Sequence, residues 1–346
     1  MNTSTPMLSV VIISHNQREV LRRCIESVLQ QQTTFPVQVI VSDDRSTDGT
    51  REMLTEEYKG RVIATFFDSD KCNTTLTLER ASYNRLNGLK YATGKYLINI
   101  DGDDFYTSTD LFQSMVDTLE AHPECTLCCQ NYCVVDSENV DVPHIPACTS
   151  EILMREGMVP ARKFFSQVPY LHASCFVARC GKVFTADNIE GIPYDDNMIP
   201  IRYLEDGMVA VVNRCDFVYV QYGHSTCASM QDNDKSILFL PEIFLARLAP
   251  SLAGVFMRRN LGAFSFVSEM VIKREPISND VRTFFGHCDI FILKNLNAQL
   301  DFGKRLRYHL IHAWTSIMFA LHLHSPFAYR ILYRLAMGDV TADVKF

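Results

Sequence analysis

Lys95-Tyr-Leu-Ile-Asn-Ile-Asp101-Gly-Asp103-Asp104 is the stretch that decides how the chain is read. The apolar residues Tyr96, Leu97, Ile98 and Ile100, bounded by Gly94 and Gly102, read as a short strand in the middle of a parallel sheet, covered on both faces. Such a strand delivers its carboxyl end to the edge of an open α/β sheet, where ligands bind. Three carboxylates within four residues repel one another there unless a cation is present. Hard oxygens at this density suit Mg²⁺ or Mn²⁺, and such an ion in turn suits a diphosphate. The plainer reading of the same residues is a solvated acidic turn, or an N-cap cluster for the helix that Asp110 opens.

The surrounding segments favour the first reading. Leu8-Ser-Val-Val-Ile-Ile-Ser14 is an almost unbroken apolar run rich in β-branched residues, which predicts a buried first strand ended by His15-Asn16. From Arg18 to Gln31 the residues Leu21, Cys24, Ile25, Val28 and Leu29 recur at helical spacing. Phe35-Pro36 closes that helix, and a second strand over 37–42 runs into Asp43-Asp44 and a turn rich in capping residues. A helix to about Tyr58 and a strand over 61–67 follow. The alternation implies right-handed βαβ units and a Rossmann-like sheet.

Further on, the pattern predicts a helix over 78–92, the aspartate-bearing strand, a helix over 111–120 and one strand around 127–135. Residues 136–170 lack periodicity and read as loop with short helix; a strand is expected over 172–178. Asp195-Asp196 precede a helix that Pro200 starts and that runs towards Asn213, before a last strand over 217–222. Beyond about residue 233 only helix-like segments are legible. The expected organisation is a domain over 1–232, divided into a nucleotide half (about 1–105) and an acceptor half (about 106–232), with a helical extension over 233–346.

Composition excludes some classes. A formal charge of −7 over 346 residues gives no basic surplus with which to neutralise nucleic-acid phosphates, so no nucleic-acid partner is expected. Twelve cysteines without framework spacing, and a polar start leading straight into a strand, fit free thiols in a cytoplasmic protein without a signal peptide. Cys125, Cys128, Cys129 and Cys133 invite a zinc reading, yet they fall on a predicted strand, where buried free cysteine is the better account. His172 could touch an acceptor, and reads better as a hydrogen-bonded core histidine. No phosphate-cradling or dinucleotide glycine motif is present.

Three acidic clusters therefore stand at or just after predicted strand ends: Asp43-Asp44, Asp101 to Asp104, and Asp195-Asp196. In this setting the segments 10–16, 41–50 and 92–104 together resemble the GT-A-fold glycosyltransferases of family 2, over roughly residues 7–230. The resemblance implies a mostly parallel central sheet flanked by helices and an inverting transfer from a nucleotide sugar, often a UDP-sugar. It implies that Ser14, His15 and Asn16 line the nucleotide pocket, with Asp43 or Asp44 at the base. Asp101 and Gly102 would face the donor, with Arg85 nearby, and Asp103 and Asp104 would hold Mn²⁺ or Mg²⁺. Asp196, supported by Asp195, would be the catalytic base; Glu205-Asp206 is the competing pair, disfavoured because Gly207 follows at once.

By the same resemblance the acceptor is a glycan or a lipid-linked sugar in surface polysaccharide assembly. The C-terminal segment, free of acids between Phe302 and Gly338 and studded with aromatics, would either lie on an anionic membrane face, pack on the core or pair two copies. A nucleotidyltransferase of similar fold, or a non-catalytic binding subunit, are the alternative functions.

Overall fold

The computed structural model describes residues 5–72, 77–138, 140, 145–168, 171–180 and 207–222. Strand β1 (Leu8–Ser14) lies between β2 (Val37–Asp44) and β4 (Tyr96–Asp101), parallel to both, and β3 (Ile63–Phe67) adds to the far side of β2. All seven residues of β1 are buried, as its continuous aliphatic run requires of a central parallel strand. The helices are α1 (Arg18–Leu29), α2 (Thr50–Glu56), α3 (Thr77–Leu89), α4 (Leu111–Ala121) and α5 (Ala161–Gln167). The buried residues of α1 are Leu21, Cys24, Ile25 and Val28, four of the five in its apolar stripe. Helix α3 packs on β1 and β2, and a Cβ at Gly88 would come within 2.7 Å of Val11 Cγ1, so glycine permits that approach.

The second half departs from a uniform parallel sheet. Beyond β4 the order continues β9 (Phe176–Arg179), β6 (Cys125–Cys129), β10 (Met208–Val211) and β8 (Gly157–Pro160). Strand β9 runs antiparallel to both its neighbours, and β8 antiparallel to β10. A small second sheet, in the order β5 (Phe105–Tyr106), β11 (Phe217–Gln221), β7 (Tyr132–Asp136), stands beside it. The result is a mostly parallel α/β sheet flanked by helices, as expected.

Four local expectations are corrected. The single strand around 127–135 is two strands in different sheets, β6 and β7. The break falls at Gln130 and Asn131, buried amides that serve other segments: Gln130 Oε1 accepts from the Asp216 N–H at 2.9 Å, and Asn131 Nδ2 donates to the Cys148 carbonyl at 2.8 Å. The strand expected over 172–178 begins as a 3₁₀ turn (Ala173–Cys175) capped by the His172 ring. Within the loop of 136–170, β8 adds an edge strand that has no alternation to betray it, because its residues are mostly exposed. The helix expected to reach Asn213 is strand β10 over Met208–Val211, where β-branched Val209 and Val211 are buried between two partner strands.

Residues 181–206, which include Asp195 and Asp196, and the extension 233–346 lie outside the described residues. Among the described residues no helix is long and apolar enough to cross a membrane.

Candidate active site

Register places the acidic residues together. Ile13 of β1 pairs with Asp101 on β4, and Ser14 pairs with Asp43 on β2. Asp43 and Asp101 thus flank β1 at the same sheet edge, two strand spacings or about 10 Å apart. After Asp101 the Gly102 N–H adds one more ladder bond, to the Ile13 carbonyl at 2.9 Å, before the chain turns. A Cβ on Gly102 would lie 2.6 Å from that same carbonyl oxygen, so the residue between the carboxylates must be glycine.

Asp101 is met by Arg85 of α3, whose Nη2 donates to Asp101 Oδ1 at 2.8 Å from an almost fully buried position. Burial acts to push the Asp101 carboxyl up, but Arg85 and then His172 outweigh it and hold it below the usual range. Asp104 is wholly buried. Its Oδ1 accepts from the Val220 N–H of β11 at 3.0 Å, whereas its Oδ2 has no hydrogen-bond partner among the described residues. Burial, then Asp103 and Asp101, push its carboxyl well up. Asp103 is pushed up to about 7 by burial and by Asp101, opposed by its own backbone N–H, then Arg23 and the Gln17 side chain. Like charges about 4 Å apart cost ~4 kcal/mol at an effective dielectric of 20, so a further positive charge at this cluster would favour ionisation of all three acids.

His172 completes the cluster. Its ring packs against those of Phe217 and Tyr219, centroids 5.0 and 5.1 Å away, and its Nε2 is 3.9 Å from both Asp101 Oδ2 and Asp104 Oδ2. One ligand atom each from Asp101, Asp104 and His172 falls within 4.8 Å of the others. An orphaned buried carboxylate oxygen facing an imidazole and a second carboxylate is a donor set that a divalent cation such as Mn²⁺ fits. In the sequence His172 reads as a core histidine or an acceptor contact, not as a partner of the carboxylates. Its place at the carboxylates depends on the crossover that brings the segment before β9 beside β4.

Asp43 and Asp44 hold their loop. Both Asp43 oxygens are engaged, by Ser46 and by Arg51 Nε at 2.9 Å, and the residue is wholly buried. Asp44 Oδ1 accepts from the Ser69 N–H at 3.0 Å. Asn16, in the left-handed region at φ +52°, donates its N–H to Ser46 Oγ and accepts from the Thr47 N–H at 2.8 Å, so the 14–16 and 43–50 segments form one rim. The His15 ring N–H bonds the Asp44 carbonyl on the same rim. Ser14 is buried at the end of β1, where its carbonyl accepts from Asn84.

The structure therefore gathers Ser14, His15, Asn16, Asp43, Asp44, Arg85 and the Asp101–Asp104 segment along one sheet edge, and adds His172. The cysteines of β6 and β7 are free and buried, and none belongs to a metal-ligating group among the described residues. If His172 contributes to holding a cation, His172→Gln should weaken Mn²⁺-dependent function ~10–100-fold. Titration of the Mn²⁺-induced rise in melting temperature checks this, and an unchanged titration would leave His172 as packing alone.

Comparison with known proteins sharpens the picture. A 105-residue segment is 28% identical to the Escherichia coli UDP-Glc:alpha-D-GlcNAc-diphosphoundecaprenol beta-1,3-glucosyltransferase WfaP, covering 30% of this chain and 38% of that protein. A 121-residue segment is 36% identical to an uncharacterized protein of Mycobacterium bovis, covering 35% of this chain and 34% of that protein. The matches thus span about a third of the length of these relatives. Staphylococcus aureus TarS 1–349, solved in complex with UDP-GlcNAc, superposes with a TM-score of 0.52 over 94% of this chain and 88% of that one. At 14% identity this likeness speaks for the fold. The family model for glycosyl transferase family 2 matches residues 9–183, from the first strand through the carboxylate cluster and past His172, and over that span the chain belongs to that family.

Proposed function

We propose that the chain is a glycosyltransferase that moves a sugar from a nucleotide sugar, a UDP-sugar by preference, to a glycan or lipid-linked acceptor in surface polysaccharide assembly. The observation that carries this reading is the Asp101–Asp104–His172 cluster at the carboxyl end of parallel strand β4, with Asp101 half-buried, Asp104 and His172 buried, and one Asp104 oxygen without a hydrogen-bond partner among the described residues. The named activity of WfaP supports the donor class and the lipid-linked acceptor.

The chain's own groups divide the work. The rim of Ser14, His15, Asn16, Asp43 and Asp44 positions the nucleotide, and Arg85 fixes Asp101 for the donor side. Asp101, Asp103, Asp104 and His172 are the residues that would hold Mn²⁺ or Mg²⁺, which when bound neutralises charge on the leaving diphosphate. Asp196, with Asp195 beside it in sequence, takes the proton from the acceptor hydroxyl. One displacement assisted by one base, on the face of the sugar opposite the leaving group, inverts the anomeric centre. The domain over 1–232 carries this chemistry, and the extension 233–346 supplies the membrane or homodimer contact.

The test is nucleotide release from a panel of nucleotide sugars with a mixed glycolipid extract, in Mn²⁺, Mg²⁺ or EDTA. One donor should turn over with metal and not with EDTA. Asp103→Ala should be inactive, and Asp196→Asn should bind donor without releasing nucleotide. Failure of every donor to bind or turn over under any metal would replace this reading with a non-catalytic binding subunit.

A further inference from the structure

The proposed transfer uses none of the cysteines, yet two of them lie closer together than their spacing in sequence foretells. Cys133 of β7 is almost wholly buried, and its Sγ lies 2.8 Å from Sγ of Cys215, which is partly exposed and stands just before β11. That separation is inside the usual contact distance of two sulfurs. The backbones carrying them are tied on both sides. The Asn131 N–H donates to the Arg214 carbonyl at 2.9 Å, the Asp216 N–H donates to Gln130 Oε1 at 2.9 Å, and Cys133 itself pairs with Val218 in the β7–β11 ladder. The two thiols are thus held in place by hydrogen bonds of the flanking residues that do not depend on the sulfurs. The neighbouring cysteines differ: Cys125, Cys128, Cys129 and Cys175 are buried and make no such sulfur–sulfur contact among the described residues.

We propose that Cys133 and Cys215 are a dithiol site that closes to a reversible disulfide, stapling the small sheet at the root of β11. The oxidant is a low-molecular-weight disulfide such as oxidised glutathione. The Cys215 thiolate, being the more accessible, attacks one sulfur of that disulfide; a sulfur–sulfur bond forms to Cys215 and the other half leaves as a thiol. The Cys133 thiolate then attacks Cys215 Sγ, the protein disulfide forms, and the second half leaves as a thiol. Two electrons pass from the protein to the small disulfide, and the two cysteine protons end on the two released thiols. Burial holds both thiols up, helped at Cys215 by Cys133 and then Asp216 and opposed at Cys133 by its hydrogen bond with Cys215, which makes the exchange slow at neutral pH and faster as pH rises.

The bond would fall where it touches the site. Strand β11 carries Val220, whose N–H bonds Asp104, together with Phe217 and Tyr219, against which the His172 ring packs. A covalent tie at the root of β11 fixes the element that supports both residues.

The experiment places the full chain in glutathione buffers of stepped redox ratio, quenches with acid, alkylates the free thiols and maps the peptides by mass spectrometry. A peptide pair joined through Cys133 and Cys215 should appear in wild type at a less oxidising ratio than any other pair. It should vanish with dithiothreitol and be absent in Cys215→Ser and in Cys133→Ala. Oxidised wild type should also melt several degrees higher than reduced wild type, a shift Cys215→Ser lacks. Persistent glutathione on Cys215 with no Cys133–Cys215 peptide at the most oxidising ratio would overturn the proposal. So would another pair forming first. Donor turnover is not needed for either readout, so failure of the glycosyltransferase reading leaves this test intact.

Discussion

Asp104→Asn is expected to remove cation-dependent turnover by on the order of 10²–10³-fold while leaving the metal-free protein as stable as wild type, or slightly more stable. The two halves of that expectation have one cause. In the metal-free site Asp104 is a wholly buried acid, pushed up by burial and by Asp103 and Asp101, with one oxygen unpartnered among the described residues. An amide keeps the shape, keeps an oxygen for the Val220 N–H, and removes a source of repulsion. With cation present, the same change deletes a ligand whose charge stabilisation is several kcal/mol, each 1.36 kcal/mol being tenfold in rate. Melting curves with and without Mn²⁺, beside nucleotide release, separate the two. Wild type should rise with Mn²⁺ and the variant should not.

Asp101→Asn is the necessary contrast. It replaces the carboxylate that accepts from Arg85 Nη2 with a neutral amide, so it should cost about 2 kcal/mol even in EDTA. If Asp104→Asn turned over at the wild-type rate with an unchanged Mn²⁺ shift, Asp104 would be only the acceptor that anchors β11.

The difference between these aspartates could not be read from Asp-Gly-Asp-Asp as letters. What the sequence did disclose is local and periodic. The β1 run, the α1 stripe and the aspartate-bearing strand are each specified by their own residues, and their order fixes the parallel half of the sheet. The resemblance implies that Arg85 stands near the donor; what the structure shows of it is an ion pair with half-buried Asp101. The second half was read less well because its strands answer to distant partners. Cys125 to Asp136 is apolar enough for one strand, and only the demands of Cys148 and Asp216 on Asn131 and Gln130 divide it. Met208–Val211 has no period that separates a short buried strand from the end of a helix; β6 and β8 on either side decide it. His172 is the same case at the site: a histidine amid apolar residues is ambiguous until the antiparallel β9 lays its lead-in against β4.

Gly102→Ala should be the most disruptive single methyl in the site. The Ile13 carbonyl oxygen that accepts the Gly102 N–H at 2.9 Å would lie 2.6 Å from the new Cβ, so the bond and the methyl compete for one atom. Leu21 Cδ1, at 3.0 Å, can turn away, but the Ile13 carbonyl belongs to a strand pinned between β2 and β4. The loop after β4 must therefore give, and it carries Asp101 on one side of the methyl and Asp103 on the other. Overpacking against fixed backbone costs about 3 kcal/mol, which at roughly 2–4 °C per kcal/mol lowers the melting temperature by about 6–12 °C. The Mn²⁺-induced shift should fall with it, since the two carboxylates no longer keep their spacing. Gly60→Ala separates geometry from general sensitivity to methylation. That glycine is strained for an L side chain at φ +76° but has open space around its Cβ, so the variant should lose about 1–2 kcal/mol and keep the full Mn²⁺ shift. A Gly102→Ala protein that melted within 2 °C of wild type and still responded to Mn²⁺ would mean that the acidic loop is not held against β1 as the register implies.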